Sequence, residues 1–208
     1  VGIVGPGLAV LKNGPSWIGS LDNDAKAALE CWSTHAWDEG WWSKDALPSY
    51  LDQQWKNYFG AAVNTADPDH SKWIIVTEYA TGVRTYNGVV FEDEVTDTNQ
   101  FAQRCYENSL TLINNGANIL CYWEAANHSW QDPPLYGFLR VNSSYRPVYY
   151  AFLTLAPLIP DNAMVLQKTW NDSQISAAGF IDGHQLVMAF ANSTADPVSR
   201  TVGVSGCL

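Results

Sequence analysis

The chain is short of positive charge: 11 lysines and arginines stand against 21 aspartates and glutamates in 208 residues, a formal charge of -10 at pH 7. Such a surface repels phosphate backbones and anionic head groups, which excludes nucleic acid and membrane surfaces as partners. Long hydrophobic runs are missing too, because Lys, Asp or a polar cluster interrupts every apolar stretch before it could span a bilayer. Cysteine is scarce. Cys31, Cys105, Cys121 and Cys207 allow three pairings, among which sequence does not decide; Cys31 and Cys121 fall in apolar runs and are expected as buried free thiols. His35, His70, His128 and His184 lack i,i+4 pairing and cysteine partners at ligand spacing, so no metal site and no cofactor is expected. Gly2, Gly5 and Gly7 lack the third glycine and the following helix of a dinucleotide fingerprint. Val1 opens directly in an apolar segment, without initiator Met, basic n-region or cleavage pattern, as expected of a processed chain or a fragment.

What the chain does have is core and aromatic surface. At 47% hydrophobic it can bury a substantial interior. Ten tryptophans and ten tyrosines are many for this length, and Trp32, Trp37, Trp41, Trp42, Trp123 and Trp130 fall near segment ends. Flat aromatic faces suit the C–H faces of sugar rings, although each Trp taken singly also reads as an ordinary core or rim residue. Sequons at Asn127, Asn142, Asn171 and Asn192 fit a secreted glycoprotein.

Four short, nearly continuous apolar runs, at 1–10, 28–37, 74–80 and 118–126, alternate with segments of helical period. That is the pattern of βα units on a parallel sheet covered on both faces. Residues 47–63 place Leu47, Leu51, Trp55, Tyr58 and Phe59 at helical spacing. Residues 97–115 do the same with Phe101, Cys105, Leu110 and Leu112, after N-cap oxygens at Thr96, Asp97 and Thr98 and before an Asn115-Gly116 stop. A long loop at 127–144 precedes a helix at 146–158 with Pro147 in its first turn. The period then changes: 164–170, 175–181 and 185–191 read as short antiparallel strands. A boundary near Pro160 divides the chain into residues 1–160 and 161–208. Four βα units make half of an eightfold barrel, and an open half exposes two strand edges that would need further sequence or a second copy.

The sharpest chemical signal is Glu78, which ends the apolar run Trp73-Ile74-Ile75-Val76-Thr77. Period-two alternation puts Ile74, Val76 and Glu78 on one side, with the carboxylate at the C-terminal mouth, where barrel enzymes build their sites. The competing reading is a rim Glu paired with a neighbouring Lys or Arg. Cys31 and His35, on one strand, are too far apart to act as a nucleophile and its base.

Residues 73–79 resemble the seventh-strand nucleophile motif of clan A retaining glycoside hydrolases, in which a Glu ends an apolar strand. Ile119 through Glu124 is similar to that clan's eighth strand, whose Trp floors the sugar site, here Trp123. Ser33-Thr34-His35-Ala36-Trp37 is similar to its sixth-strand end, with Trp37 where Tyr is usual. Residues 146–192 resemble the last barrel helix and the β-sandwich of families such as 30 and 39, and the whole chain is similar to family 30, 39 and 5 enzymes at clan level. The resemblance implies an α/β fold: strands 5–8 of a partial TIM (β/α)8 barrel, then part of an antiparallel β-sandwich. It also implies a secreted glycosidase that cleaves β-linked glycosides or polysaccharide by retaining double displacement. Glu78 would be the nucleophile, and His35, Trp37, Tyr79, Trp123, Glu124 and Trp130 would bind an oligosaccharide substrate, with Trp41 and Trp42 lining the cleft. The mechanism needs a second carboxylic acid about 5 Å away. In the clan that acid commonly follows Asn, and no Asn-Glu pair occurs here; Asp38, Glu39 and Glu124 are the carboxylates nearest the mouth. The acid/base is therefore expected upstream, in the missing N-terminal half of the barrel, and the chain alone is expected to hydrolyse poorly. The rival expectations are a carbohydrate-binding barrel without catalysis and a structural scaffold.

Overall fold

A computed structural model describes residues 2–37, 48–81, 85–86, 89–90, 96–127, 136–170 and 172–205. Four strands, β1 (Ile3–Leu8), β2 (Leu29–Trp37), β3 (Trp73–Ala80) and β6 (Ile119–Tyr122), form one sheet in the order β1-β2-β3-β6, with every neighbouring pair parallel. Sequential order and parallel pairing are what βα units produce when each crossover returns the chain to the next position. Between β3 and β6 lies a small antiparallel pair, β4 (Thr85–Tyr86) and β5 (Val89–Val90).

Helices cover one face of the sheet. Two short ones, α1 (Gly14–Ser20) and α2 (Asn23–Ala28), join β1 to β2. The helical spacing over 47–63 becomes α3 (Pro48–Gln54), a π-helical turn at Trp55–Phe59 and α4 (Gly60–Ala66). Leu51, Trp55, Phe59 and Val63 pack from these turns onto Trp32, Ala36, Ile74 and Val76 of the sheet. Next comes α5 (Asn99–Asn114). Of the three cap candidates Thr98 is the one used, its hydroxyl accepting the Phe101 N–H at 3.0 Å. The helix stops where expected: Gly116 takes φ +94, its N–H reaches Ile113 O at 3.0 Å, and Ala117 N–H reaches Leu112 O at 3.1 Å. This paired closure needs a left-handed residue that glycine adopts without a Cβ penalty.

The final helix, α6 (Pro147–Leu153), is shorter than its apolar pattern and is followed by a 3-10 turn at Ala156–Leu158. Beyond it, β7 (Met164–Val165), β8 (Ile175–Ile181) and β9 (Leu186–Asn192) form an antiparallel sheet in that order. Of the run expected at 164–170, only two residues pair. This sheet shares a core with α5: Leu110 and Ile113 meet Ala178, Phe180, Ala189 and Ala191. Among the described residues no helix is long and apolar enough to cross a membrane.

The cysteine expectation needs correcting. Cys105 is the fully buried one, whereas Cys31 is half-buried and Cys121 exposed, and all three are free thiols. Cys31 and Cys121 lie on the sheet face opposite the helices, the open face, on which no helix packs among the described residues.

Candidate active site

The site is built on β2 and β3. Along β2, Trp32, Thr34 and Ala36 alternate onto the helix-covered face and are fully buried, leaving His35 and Trp37 for the open face. β3 begins in step: Trp32 pairs Ile74 and Thr34 pairs Val76, but the next residue of β2, His35, pairs Glu78. One residue of β2 therefore spans two of β3. The other neighbour reports the same insertion, since Val76 pairs Leu120 and Tyr79 pairs Tyr122, three steps on β3 against two on β6. Thr77 is the extra residue of a β-bulge, and a bulge reverses the face on which every later side chain stands.

This overturns the expected alternation. Glu78 does not share a face with Ile74 and Val76; it stands on the open face, beside its register partner His35. Tyr79, expected to bind substrate, goes the other way. Its ring is 1% exposed among the helices, edge-on to Tyr122 and Phe152, and its hydroxyl shares a 2.9 Å hydrogen bond with Ser109 Oγ. Burial drives the Tyr79 phenol far above its ordinary range.

Glu78 is held from two directions. Trp37 Nε1 donates to Oε1 at 3.0 Å, and His35 Nδ1 stands 3.6 Å from Oε2. The Glu78 side chain is 22% exposed and that of His35 30%, so both reach solvent at the C-terminal end of the sheet. The Trp37 indole is braced edge-on by buried Tyr136, with ring centres 5.2 Å apart. The result is a carboxylate oriented by a neutral donor, with lone pairs left over and an imidazole nearby but beyond hydrogen-bond distance.

The segment after β6 adds a second cluster. Trp123 N–H donates to Tyr79 O at 2.9 Å, which puts residue 123 across from the residue next to Glu78; its side chain is 42% exposed. The Trp123–Glu124 peptide is cis. Glu124 Oε1 accepts from Asn127 Nδ2 at 3.1 Å, and Asn127 Oδ1 accepts from Arg146 Nη2 at 3.1 Å. Arg146, 1% exposed, also donates to Thr96 Oγ1 and to Asp97, whose other oxygen binds Arg140 Nε at 2.9 Å. Sequence reasoning missed this chain of contacts, because Arg146 lies 19 residues from Asn127 and 49 from Asp97 and nothing in the spacing links them.

The structure therefore brings His35 and Trp37 onto Glu78, sets the Trp123 backbone alongside, and ties Glu124 to Asn127. Trp130, Trp41, Trp42, Asp38 and Glu39 lie outside the described residues. A recess of about 1020 Å³ opens between α5 and the antiparallel sheet, lined by Lys56, Arg104, Glu107 and Lys168 among others, and contains none of the predicted site residues.

No protein-family model matches the chain, and no curated protein matches it in sequence. Solved structures do match in shape. A GH51 arabinofuranosidase from Xanthomonas axonopodis pv. citri superposes with a TM-score of 0.62 at 14% identity over 93% of this chain and 44% of its own. AbfB, a family 51 α-L-arabinofuranosidase from Bifidobacterium longum, gives 0.58 at 14% identity over 93% and 45%. A GH39 β-xylosidase from Caulobacter crescentus gives 0.56 at 14% identity over 86% and 38%. The chain thus spans less than half the length of these enzymes. At such identities the likeness is one of fold: this chain has the fold of part of a family 39 or family 51 glycoside hydrolase.

Proposed function

We propose that this chain supplies the nucleophile side of a retaining glycoside hydrolase acting on β-linked oligo- or polysaccharide, with Glu78 as the nucleophile. The observation that carries the reading is the bulged strand end, where Glu78 leaves the helix-covered face and meets Trp37 Nε1 and His35 Nδ1. Double displacement requires an ionised, aimed carboxylate to attack the anomeric carbon and form a glycosyl ester. A hydrogen bond from Trp37 fixes one oxygen, leaving the other for attack. His35 serves as a donor to that oxygen or to a sugar hydroxyl, and Trp123 offers its half-exposed ring as the floor beneath the sugar.

In this reading residues 1–160 are strands 5–8 of a (β/α)8 barrel, and residues 161–208 begin a β-sandwich. The edges at β1 and β6 then join the strands that complete the barrel, and the acid/base carboxyl comes from that other half. Glu124, bound to Asn127, is a sugar-contacting carboxylate in this scheme. The protein works outside the cell, in keeping with its sequons and a surface poor in positive charge.

The test is mechanism-based trapping. The full-length protein is incubated with a 2-deoxy-2-fluoro glycoside, digested, and the modified peptide sequenced. Ester formation on Glu78 is the expected result, and label on any other residue overturns the assignment. Sugar binding without any label or turnover favours a carbohydrate-binding barrel that has lost catalysis.

A further inference from the structure

We propose that, of the three sequon asparagines among the described residues, Asn142 is the principal N-glycosylation acceptor, and that the folded protein carries no glycan on Asn127. Four sequons are present; Asn171 lies outside the described residues, and tertiary structure gives the amide nitrogens of the other three different fates. Asn127 is 6% exposed and both ends of its amide are used, Nδ2 donating to Glu124 and Oδ1 accepting from Arg146. A glycan on that nitrogen would remove the donor and push a sugar into the buried network around Arg146. A chain modified there does not reach this fold.

Asn142 is the opposite case. The backbone folds back on itself around it: Leu139 bridges Tyr145, Arg140 N–H donates to Ser144 O at 2.9 Å, and Ser143 N–H donates to Arg140 O at 2.8 Å. Ser143 adopts φ +64, so Asn142 sits at the tip of a tight hairpin whose residues 141–145 are all exposed. Its Oδ1 accepts both the Ser144 N–H at 3.0 Å and the Ser144 hydroxyl at 2.7 Å. The carbonyl end of the amide is thus bound to the hydroxyl residue of its own sequon, an Asx turn, while Nδ2 has no hydrogen-bond partner among the described residues. Nothing has to be broken or displaced for that nitrogen to carry a sugar.

Asn192 lies between these two. It is exposed and makes the same turn with Thr194, but its Nδ2 donates to Asp196 O at 2.8 Å and its backbone carbonyl accepts from Gln103 Nε2. Substitution on that nitrogen costs a hydrogen bond that Asn142 does not have to lose. In the reaction, Asn142 Nδ2 forms a bond to the anomeric carbon of a lipid-diphosphate-linked oligosaccharide. The bond from that carbon to the diphosphate oxygen breaks, the lipid diphosphate leaves with the electron pair, and the amide proton passes to a carboxylate of the transferase.

The full-length protein, carrying Asn171→Gln so that only the three described acceptors remain, is expressed through a yeast secretory pathway. The folded, secreted fraction is digested and its glycopeptides are quantified by mass spectrometry with and without enzymatic glycan release. Asn142 is expected to be occupied severalfold more than Asn192, with Asn127 bare. Ser144→Ala should abolish the Asn142 glycan while leaving Asn192 unchanged. A bare Asn142, a glycan on Asn127 in the folded fraction, or an Asn192 occupancy equal to that of Asn142 overturns the proposal. This outcome is independent of whether Glu78 is a nucleophile.

Discussion

Strand β2 holds a carboxylate at each end by the same device, and the two ends have opposite characters. Near its start, on the helix-covered face, Trp32 Nε1 donates to Asp67 Oδ2 at 3.3 Å; at its finish, on the open face, Trp37 Nε1 donates to Glu78 Oε1 at 3.0 Å. Asp67 is buried, and both its oxygens are filled by Ser71 N–H and Oγ, Lys72 N–H and the indole. Burial alone would raise its pKa, but these donors outweigh that effect and hold it below 3.8. Glu78 has one firm donor, a more distant imidazole and access to solvent. A carboxylate whose lone pairs are all used can only hold the chain together. One with lone pairs to spare at a strand's mouth can attack a substrate.

Breaking each pair should separate the two roles. The largest effect is expected for Glu78→Gln in the full-length enzyme. Its kcat should fall by about 10⁴-fold or more while its thermal midpoint stays put, as the proposed nucleophile role requires. A parallel loss of stability would mean that Glu78 is a structural residue like Asp67. Asp67→Ala should do the reverse, lowering unfolding free energy by about 3 kcal/mol in denaturant titrations through its stranded donors, with turnover per folded molecule unchanged.

The two indoles sharpen the contrast, since Trp32→Phe and Trp37→Phe each delete one N–H donor to a carboxylate. Trp32→Phe should cost about 1–2 kcal/mol of stability, and Trp37→Phe should cost about tenfold in kcat/KM at near-constant stability. An effect of Trp37→Phe on KM alone would show that the ring binds sugar without orienting Glu78. The smallest effect is on pH dependence. The folded-state pKa of Asp67 lies below its unfolded value of 3.8, so its stabilisation is fully present above 3.8 and is lost as pH falls through the lower, folded value. Acid unfolding of the wild type should therefore be steeper below about pH 4 than that of Asp67→Asn, as followed by circular dichroism.

Much of this was legible because it is local. The Asn115-Gly116 stop, the helical spacing of Leu51, Trp55 and Phe59, and the parallel order of four apolar runs all rest on contacts within a few residues or on period alone. The position of Glu78 at the end of such a run was legible for the same reason. Its face was not. The strand run before Glu78 is apolar nearly throughout, so its residues carry no mark of which side is which, and the insertion at Thr77 leaves no trace in composition. That one residue exchanged the fates of Glu78 and Tyr79, sending the first to the open mouth and the second among the helices. The Arg146 network was illegible because its members meet only after α5, α6 and the loop between β6 and α6 have packed.

By itself, then, the order of residues determined the four parallel strands, the cap and stop of α5 and which carboxylate stands near the end of β3, since these follow from neighbours in the chain. Only the tertiary structure decided which way that carboxylate turns, which tryptophan holds it, and which of the three described sequon asparagines keeps its amide nitrogen unbonded. The first two depend on residues that sequence separates by about forty positions and that strand pairing brings together; the last depends on where the chain around each sequon is packed.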